Sequence, residues 1–593
     1  MREGADFTTD RRMIWIATIA VGVGALCAGV AVVLMWAIGF FTNLFFYQEL
    51  SATFRSPAGN QLGLLAVFVP VVGGLIIGLM ARFGSERIRG HGIPEAMEAI
   101  LIGRSRMDAR VAVLKPLSSA ISIGSGGPFG AEGPIIMTGG AFGSLIAQAF
   151  HLSAAERKTL LVAGAAGGMS ATFASPVAAV LLAVELLLFE WKPRSVVPVA
   201  LSSAVAAAVR VYLIGPGPLF PVPAHGPVAA LGLLSAVGIG LAAGVLAMLL
   251  TGAVYGAEDA FQRLPIHWMW WPAIGGLVVG IGGLIQPHAL GVGYDVIGEL
   301  LQGQFVASTL VSLIVVKGII WAVALGSGTS GGVLAPLLIM GGALGALETY
   351  VLPGGTKALW PLVSMAAVLG GTMRSPFTSV IFALELTRDV DALLPLLIAA
   401  MVAHGFTVLF MKRSILTEKV ARRGYHLTRE YSVDPLEMLT LRAVMTTGVE
   451  TISPSMPVSE LVERCFSGTG PRRHQGFPVV DGDGNLLGIV TRSNLLDSPD
   501  EATNGRVVAD VMETAPLVGY PDETCRSAAE KMAQAGVGRI PVVDPANPRH
   551  VVGIVTRSDL LKSRARFIDE EHRRERFFGR ARERAAASVA TPS

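Results

Sequence analysis

Three short segments carry residue types that could bind an anion: Gly90-His91-Gly92-Ile93-Pro94, Gly130-Ala131-Glu132-Gly133-Pro134 and Gly332-Val333-Leu334-Ala335-Pro336. In each, glycine precedes proline and an apolar run follows, the signature of a helix N-terminus. Such an end exposes unpaired N–H groups and about half a positive charge. Any one of them alone is better explained by packing or helix breaking. Three converging ends would hold an anion on the groups around His91, Gly92, Ile93, Ala131 and Gly133, with no full cation to bind it too firmly for release.

Glu132 stands inside the second segment. A carboxylate at membrane depth is costly and points to function. Beside an anion-binding helix end it can imitate the anion when charged and leave when protonated, so it reads as a gate that ties anion occupancy to protons. The competing reading is a carboxylate that caps the helix.

These segments need a membrane domain to position them. Of the 593 residues, 52% are hydrophobic and 15% charged, against about 25% charged in soluble domains. The apolar excess lies between residue 14 and about residue 410, and ordinary charge density begins near Lys412. Many of the 70 glycines cluster in short runs inside apolar sequence, as at 124–128, which ends in proline, and 326–332. Irregular backbone at membrane depth is tolerated only where it is buried in protein or lines a polar cavity. The net charge of +3 gives no reason to expect nucleic acid, and Cys27, Cys465 and Cys525 form neither a disulfide framework nor a metal motif. Residues 14–46 are too long for a signal-peptide core, and Arg2, Arg11 and Arg12 before them place the N-terminus in the cytosol.

Two repeats organise the chain. Residues 133–145 match 335–347 at an offset of 202, and 173–186 match 373–386 at an offset of 200, which pairs Ser175-Pro176 with Ser375-Pro376 and Glu185 with Glu385. Repeats with broken helices in matching places point to a substrate site at their interface. The second repeat is soluble: Gly488-Ile-Val-Thr-Arg-Ser-Asn-Leu-Leu recurs from Gly553, each copy after a Pro-Val-Val-Asp strand. Two α/β units of about 60 residues would pack as one small domain.

The chain resembles the CLC family of chloride channels and transporters over residues 14 to about 425, and its soluble end resembles the CBS pairs of many members. The motifs are Gly-Ser-Gly-Ile-Pro, here with His91 for serine; Gly-Lys/Arg-Glu-Gly-Pro, here with Ala131 for the basic residue and the gating glutamate kept as Glu132; and Gly-x-Phe-x-Pro, here with Leu334 for phenylalanine. The resemblance implies a homodimer with an anion pathway in each subunit, backbone amides around Val333 and Leu334 at the central site, and Lys115 at a basic position near the outer pore.

The departures bear on coupling. The family's central tyrosine stretch reads Ser414-Ile415-Leu416-Thr417, so serine and tyrosine hydroxyls are both missing. His91 either donates an imidazole N–H whose charge follows pH or turns away as a neutral cap. The family's inner Glu-Glu is Glu185-Leu186, and Leu186 carries no proton. Glu185 shares its context with Glu385, which suggests a common structural role, and Glu190 is an alternative relay or a helix-end carboxylate. In the soluble pair, the resemblance implies an adenosine site from His474, Gln475, Thr491, Asn494, Thr556 and Asp559, taking ATP, ADP or AMP; a nucleotide-free dimerisation module is the other reading.

The expected architecture is an all-α membrane domain of two inverted repeats with broken helices, followed by a cytosolic α/β CBS pair. Its parts are a cytosolic N-terminus (1–13), a transport domain (14–425), a linker (426–438), CBS units (439–498 and 499–564) and a charged tail (565–593). The expected function is anion transport, most naturally of chloride, gated by Glu132, with weakly coupled or channel-like movement favoured over proton antiport. Nitrate or fluoride is the alternative cargo, and a membrane nucleotide sensor the alternative class. No enzyme is expected, because no HExxH or paired-aspartate cluster occurs, and no cofactor is required. The expected location is the plasma (inner) membrane, both termini cytosolic.

Overall fold

The computed structural model describes residues 11–424, 436, 439–463, 475–496 and 505–562. It divides into two compact units, residues 1–429 and 430–593. The tail, most of the linker, the first ten residues and His474 lie outside the described residues.

The first unit is helical. Its helices are α1 (Arg12–Thr42), α2 (Phe68–Phe83), α3 (Ile93–Leu101), α4 (Ala109–Gly124), α5 (Glu132–Ala149), α6 (Ala154–Phe173), α7 (Pro176–Leu182), α8 (Pro193–Leu213), α9 (Ala230–Gln262), α10 (Trp271–Ile285), α11 (Tyr294–Leu301), α12 (Ala307–Gly326), α13 (Leu334–Glu348), α14 (Leu359–Met373), α15 (Pro376–Thr387), α16 (Leu393–Phe410) and α17 (Ile415–Arg422). Among the described residues, seven helical stretches are long and apolar enough to cross a bilayer, which takes about 20 residues, and the first runs Arg12–Tyr47. Shorter apolar helices, such as α13, α14 and α15, fill the interior between them.

The two sequence repeats are two structural repeats. The run α4 to α7 has its counterpart in α12 to α15. Detail repeats as well. Ala174 and Arg374 are both left-handed, at φ 54° and 57°, and each is followed by a serine N-cap and a proline at the first helical position. Left-handed backbone ends α6 and α14 sharply, and proline starts the next helix without a lost hydrogen bond. Close packing inside each repeat depends on small residues: a Cβ at Gly139 of α5 would strike the Gly164 carbonyl of α6, and one at Gly164 would strike Gly139. Membrane helices approach closely where both surfaces are small.

The second unit holds two antiparallel strand pairs, β1 (Gly476–Val480) with β2 (Leu486–Thr491) and β3 (Arg539–Val543) with β4 (Val551–Thr556). Their registers match, with Gly476 opposite Thr491 and Arg539 opposite Thr556. The units also interlock, which the linear repeat did not reveal. Thr446, ahead of the first strand pair, exchanges backbone hydrogen bonds of 3.0 and 3.1 Å with Ile554 of β4, and Glu513, ahead of the second strand pair, exchanges bonds of 2.9 and 3.0 Å with Ile489 of β2. Each leading segment thus satisfies polar edge groups of the other unit's sheet.

Candidate functional site

The three glycine–proline segments meet. Gly130 and Gly332 exchange two backbone hydrogen bonds, of 3.1 and 2.9 Å, and the Gly90 N–H donates to the Thr329 carbonyl at 3.3 Å. The first residues of α3, α5 and α13 are thereby drawn into one buried cluster: Ile93, Ala131, Glu132, Gly133, Val333 and Leu334 are all buried. Gly92, at φ 95°, has a backbone that other residues rarely adopt, and a Cβ there would enter the Gly133 backbone. The glycines allow two helix starts to touch.

Glu132 is fully buried at the head of α5. Its Oε1 lies 3.5 Å from the Tyr294 hydroxyl. The backbone amides of Glu132 itself and of Ala335 face the carboxylate, yet Oε2 closes no hydrogen bond among the described residues. Helix-end N–H groups that face a carboxylate offer the same contacts to an anion.

His91 is 4% exposed, and its Nδ1 has no hydrogen-bond partner among the described residues. It borders a cavity of about 910 Å³, which is also lined by Arg89, Glu95, Tyr255, Trp271 and Lys419. Glu95 is the organising side chain here. Its Oε2 accepts from the Gly92 N–H at 2.7 Å, and its Oε1 pairs with Lys419 Nζ at 2.5 Å. This corrects one expectation: the Gly92 amide is engaged by Glu95, the third residue of its own helix, and is not free to hold an anion. Glu95 was legible as a capping glutamate in Gly-Ile-Pro-Glu, but its pairing with Lys419, 324 residues away, was not.

Lys115 is also corrected. It is fully buried on α4, and its ammonium donates to the carbonyls of Ile88 at 2.8 Å and Gly90 at 2.7 Å. It anchors the segment that carries His91 and does not stand free in an outer pore. Leu416, where the family has its tyrosine, is fully buried in α17. The tyrosine next to this helix start comes from elsewhere: Tyr255 of α9 donates its hydroxyl to the Ile415 carbonyl. No sequence signal announced it.

Of the proton-path candidates, Glu185 accepts from the backbone N–H groups of Phe377 at 3.3 Å and Thr378 at 3.0 Å. Glu190 pairs with Lys158 at 2.9 Å and accepts from the Ser195 hydroxyl at 2.8 Å. Both are engaged as local structural groups, and Leu186 is fully buried.

In the second unit, Asp559 Oδ2 accepts from the backbone N–H and hydroxyl of Thr556 at 2.9 and 2.7 Å, and Asn494 Oδ1 accepts from the same groups of Thr491 at 2.8 and 2.5 Å. These pairs close the turn from strand to helix in each copy. Gln475 is exposed just ahead of β1.

Comparison with known proteins gives the family and the fold. The voltage gated chloride channel family model matches residues 72–408, and the CBS domain model matches 441–501 and 508–566. A ClcB-like chloride channel protein of Ralstonia nicotianae is 30% identical over 367 residues, which cover 58% of this chain and 86% of that protein. The H(+)/Cl(-) exchange transporter ClcA of Klebsiella pneumoniae is 30% identical over 343 residues, or 54% of this chain and 71% of that one. A slow cyanobacterial Cl-/H+ antiporter shares the fold with a TM-score of 0.62 at 20% identity, over 70% of this chain and 99% of that structure. A eukaryotic CLC transporter shares it with a TM-score of 0.57 at 20% identity, over 92% and 98%.

Proposed function

The chain belongs to the CLC family of chloride channels and transporters, integral membrane proteins that move anions, and on that premise we propose that it carries chloride or a similar small anion past Glu132, which opens the pathway when protonated. One observation carries this reading: the segments that start α3, α5 and α13 are joined by backbone hydrogen bonds, and amides at the starts of α5 and α13 face a fully buried carboxylate whose Oε2 has no partner among the described residues. When charged, the carboxylate holds the place of the anion. When neutral, it loses its attraction to the helix-end amides and an anion can replace it. Protein in liposomes should pass chloride faster in acid, and Glu132→Gln should make the flux independent of pH. Persisting pH dependence would move the gate to another group, with His91 the first candidate.

The degree of coupling has two readings. Weak coupling is supported by Leu186 at the usual proton-accepting position and by the engagement of Glu185 and Glu190. Proton-coupled exchange is supported by the relatives, several of which are named exchange transporters; the comparisons themselves do not favour the weakly coupled form. The resemblance further supports a homodimer with a pathway in each subunit, a plasma-membrane location and cytosolic termini. For the CBS pair we propose an adenine nucleotide as ligand. Because Asp559 and Asn494 cap their own turns, nucleotide would share these groups or displace the caps. Millimolar ATP, ADP or AMP should raise the melting temperature of the full chain by mass action, and no shift would leave the pair as an assembly module.

A further inference from the structure

Two loops of the first unit are counterparts. Gly90-His91-Gly92-Ile93 leads into α3, and Gly291-Val292-Gly293-Tyr294 leads into α11. Both use glycines at positive φ, 90° and 95° in the first and 64° and 74° in the second. Both are tied down by a fully buried lysine at matching repeat positions. Lys115 of α4 donates to the Ile88 and Gly90 carbonyls, and Lys317 of α12 donates to the Ala289 carbonyl at 2.9 Å. One loop brings His91 to the cavity; the other brings Tyr294 to Glu132.

The Tyr294 ring is held on several sides, by Phe54 at 6.1 Å, Phe173 at 6.0 Å and Phe220 at 6.2 Å between ring centroids. The Ala131 amide faces its oxygen, and the O–H is directed toward Glu132 Oε1. The 3.5 Å separation from Oε1 is long for an O–H···O bond, usually 2.5–3.0 Å. The hydroxyl therefore faces the carboxylate without being saturated by it.

We propose that the Tyr294 hydroxyl is an anion ligand shared in turn by the Glu132 carboxylate and by the transported anion. With Glu132 charged, the hydroxyl steadies the carboxylate across the pathway. With Glu132 neutral and displaced, the same O–H donates to the anion that takes its place. A hydroxyl, absent at His91 and Leu416, is thus supplied from the other repeat, at the gate itself. This rests on the assignment of Glu132 as the gate.

The test uses full-length protein. Chloride binding is measured by calorimetry in Glu132→Gln and in Glu132→Gln/Tyr294→Phe. Loss of the hydroxyl should weaken chloride binding by about tenfold, the worth of one hydrogen bond to a charged group. Phenylalanine keeps the ring packing, so folding should survive. As a second readout, Tyr294→Phe with Glu132 intact should open the gate at higher pH, because the carboxylate has lost a donor that favours its charged form. Equal chloride affinity in the two proteins, or an unmoved pH profile, overturns the proposal. Failure of the gate itself shows separately, as pH dependence that survives Glu132→Gln alone.

Discussion

Glu185 and Glu385 exchange places across the two repeats: each caps the helix to which the other belongs. Glu185, at the end of the helix that starts at Pro176, accepts from Phe377 and Thr378 at the start of α15. Glu385, near the end of α15, accepts from Val177 at 2.9 Å and Ala178 at 2.8 Å at the start of α7. A contact that is returned in the same form is the mark of a two-fold relation. The carboxylates satisfy helix-end N–H groups and sit at the positive ends of the helix dipoles.

Glu185→Ala should therefore lower stability and leave the pH dependence of flux in place. Unsatisfied N–H groups at a partly buried helix start make the loss about 1–3 kcal/mol. Glu385→Ala should behave alike, as its counterpart. Thermal unfolding in detergent, read beside liposome flux, checks both. A selective loss of proton movement with unchanged stability would instead place Glu185 on a proton path.

Lys419→Met should be among the more damaging single changes near the cavity. It would leave Glu95 buried without its cation, and removing one partner of a buried pair typically costs about 3–5 kcal/mol. Glu95→Gln/Lys419→Met should recover much of that loss, because no unpaired charge remains. The comparison of melting temperatures is a double-mutant test. A double variant no more stable than Lys419→Met would show that the two side chains act independently.

How much of this was legible from the chain follows the range of each interaction. The helix starts at Ile93, Glu132, Leu334 and Pro376 are local events, signalled by glycine, proline and the apolar run that follows, and the structure places them there. The repeat was legible because its two copies share spacing as well as residue types. What escaped was fixed by contacts across the fold. Lys115 looked like a pore cation, but only the folded chain shows two carbonyls closing on it. Gly92 offered an amide until Glu95 took it. Tyr294 lies 162 residues from Glu132, and no spacing in the sequence links them.

A clasp on the segment between α8 and α9 should respond to pH. His225 Nε2 lies 2.7 Å from Asp389 Oδ2. Burial alone would push the imidazole down, but the Gly226 carbonyl, the Asp389 carboxylate and the charge of Asp391 outweigh it and hold His225 above its ordinary value. The clasp's contribution is full below that ordinary value and is lost as pH rises through the raised one. The same segment brings Phe220 against Tyr294 and bonds it to the Leu386 carbonyl at 3.0 Å. Hydrogen exchange over residues 214–229 should thus accelerate more steeply than intrinsic exchange chemistry as the medium becomes alkaline, and His225→Gln should remove that excess. A rate that follows only the intrinsic exchange chemistry in both proteins would reject the clasp.

The last prediction concerns coupling. Strict exchange needs protonatable groups that reach Glu132 from the inner side. Leucine fills the usual position at 186, Glu185 caps the opposite repeat, and Glu190 is held by Lys158 and Ser195. A proton gradient alone, in liposomes with voltage clamped by a potassium ionophore, is therefore expected to drive little chloride uptake, although acid speeds downhill flux. Leu186→Glu restores a carboxyl where exchangers of this family carry one. It should raise the uphill chloride gradient that protons sustain, provided Glu132 still opens in acid. The substitution buries a carboxyl at a fully buried site, so its stability must be read alongside. Strong uphill accumulation by the unmodified protein would refute weak coupling. It would then direct attention to the cavity side, where His91 Nδ1 has no partner among the described residues and borders the cavity that Glu95 and Lys419 also line, and His91→Ala would be the variant expected to abolish it.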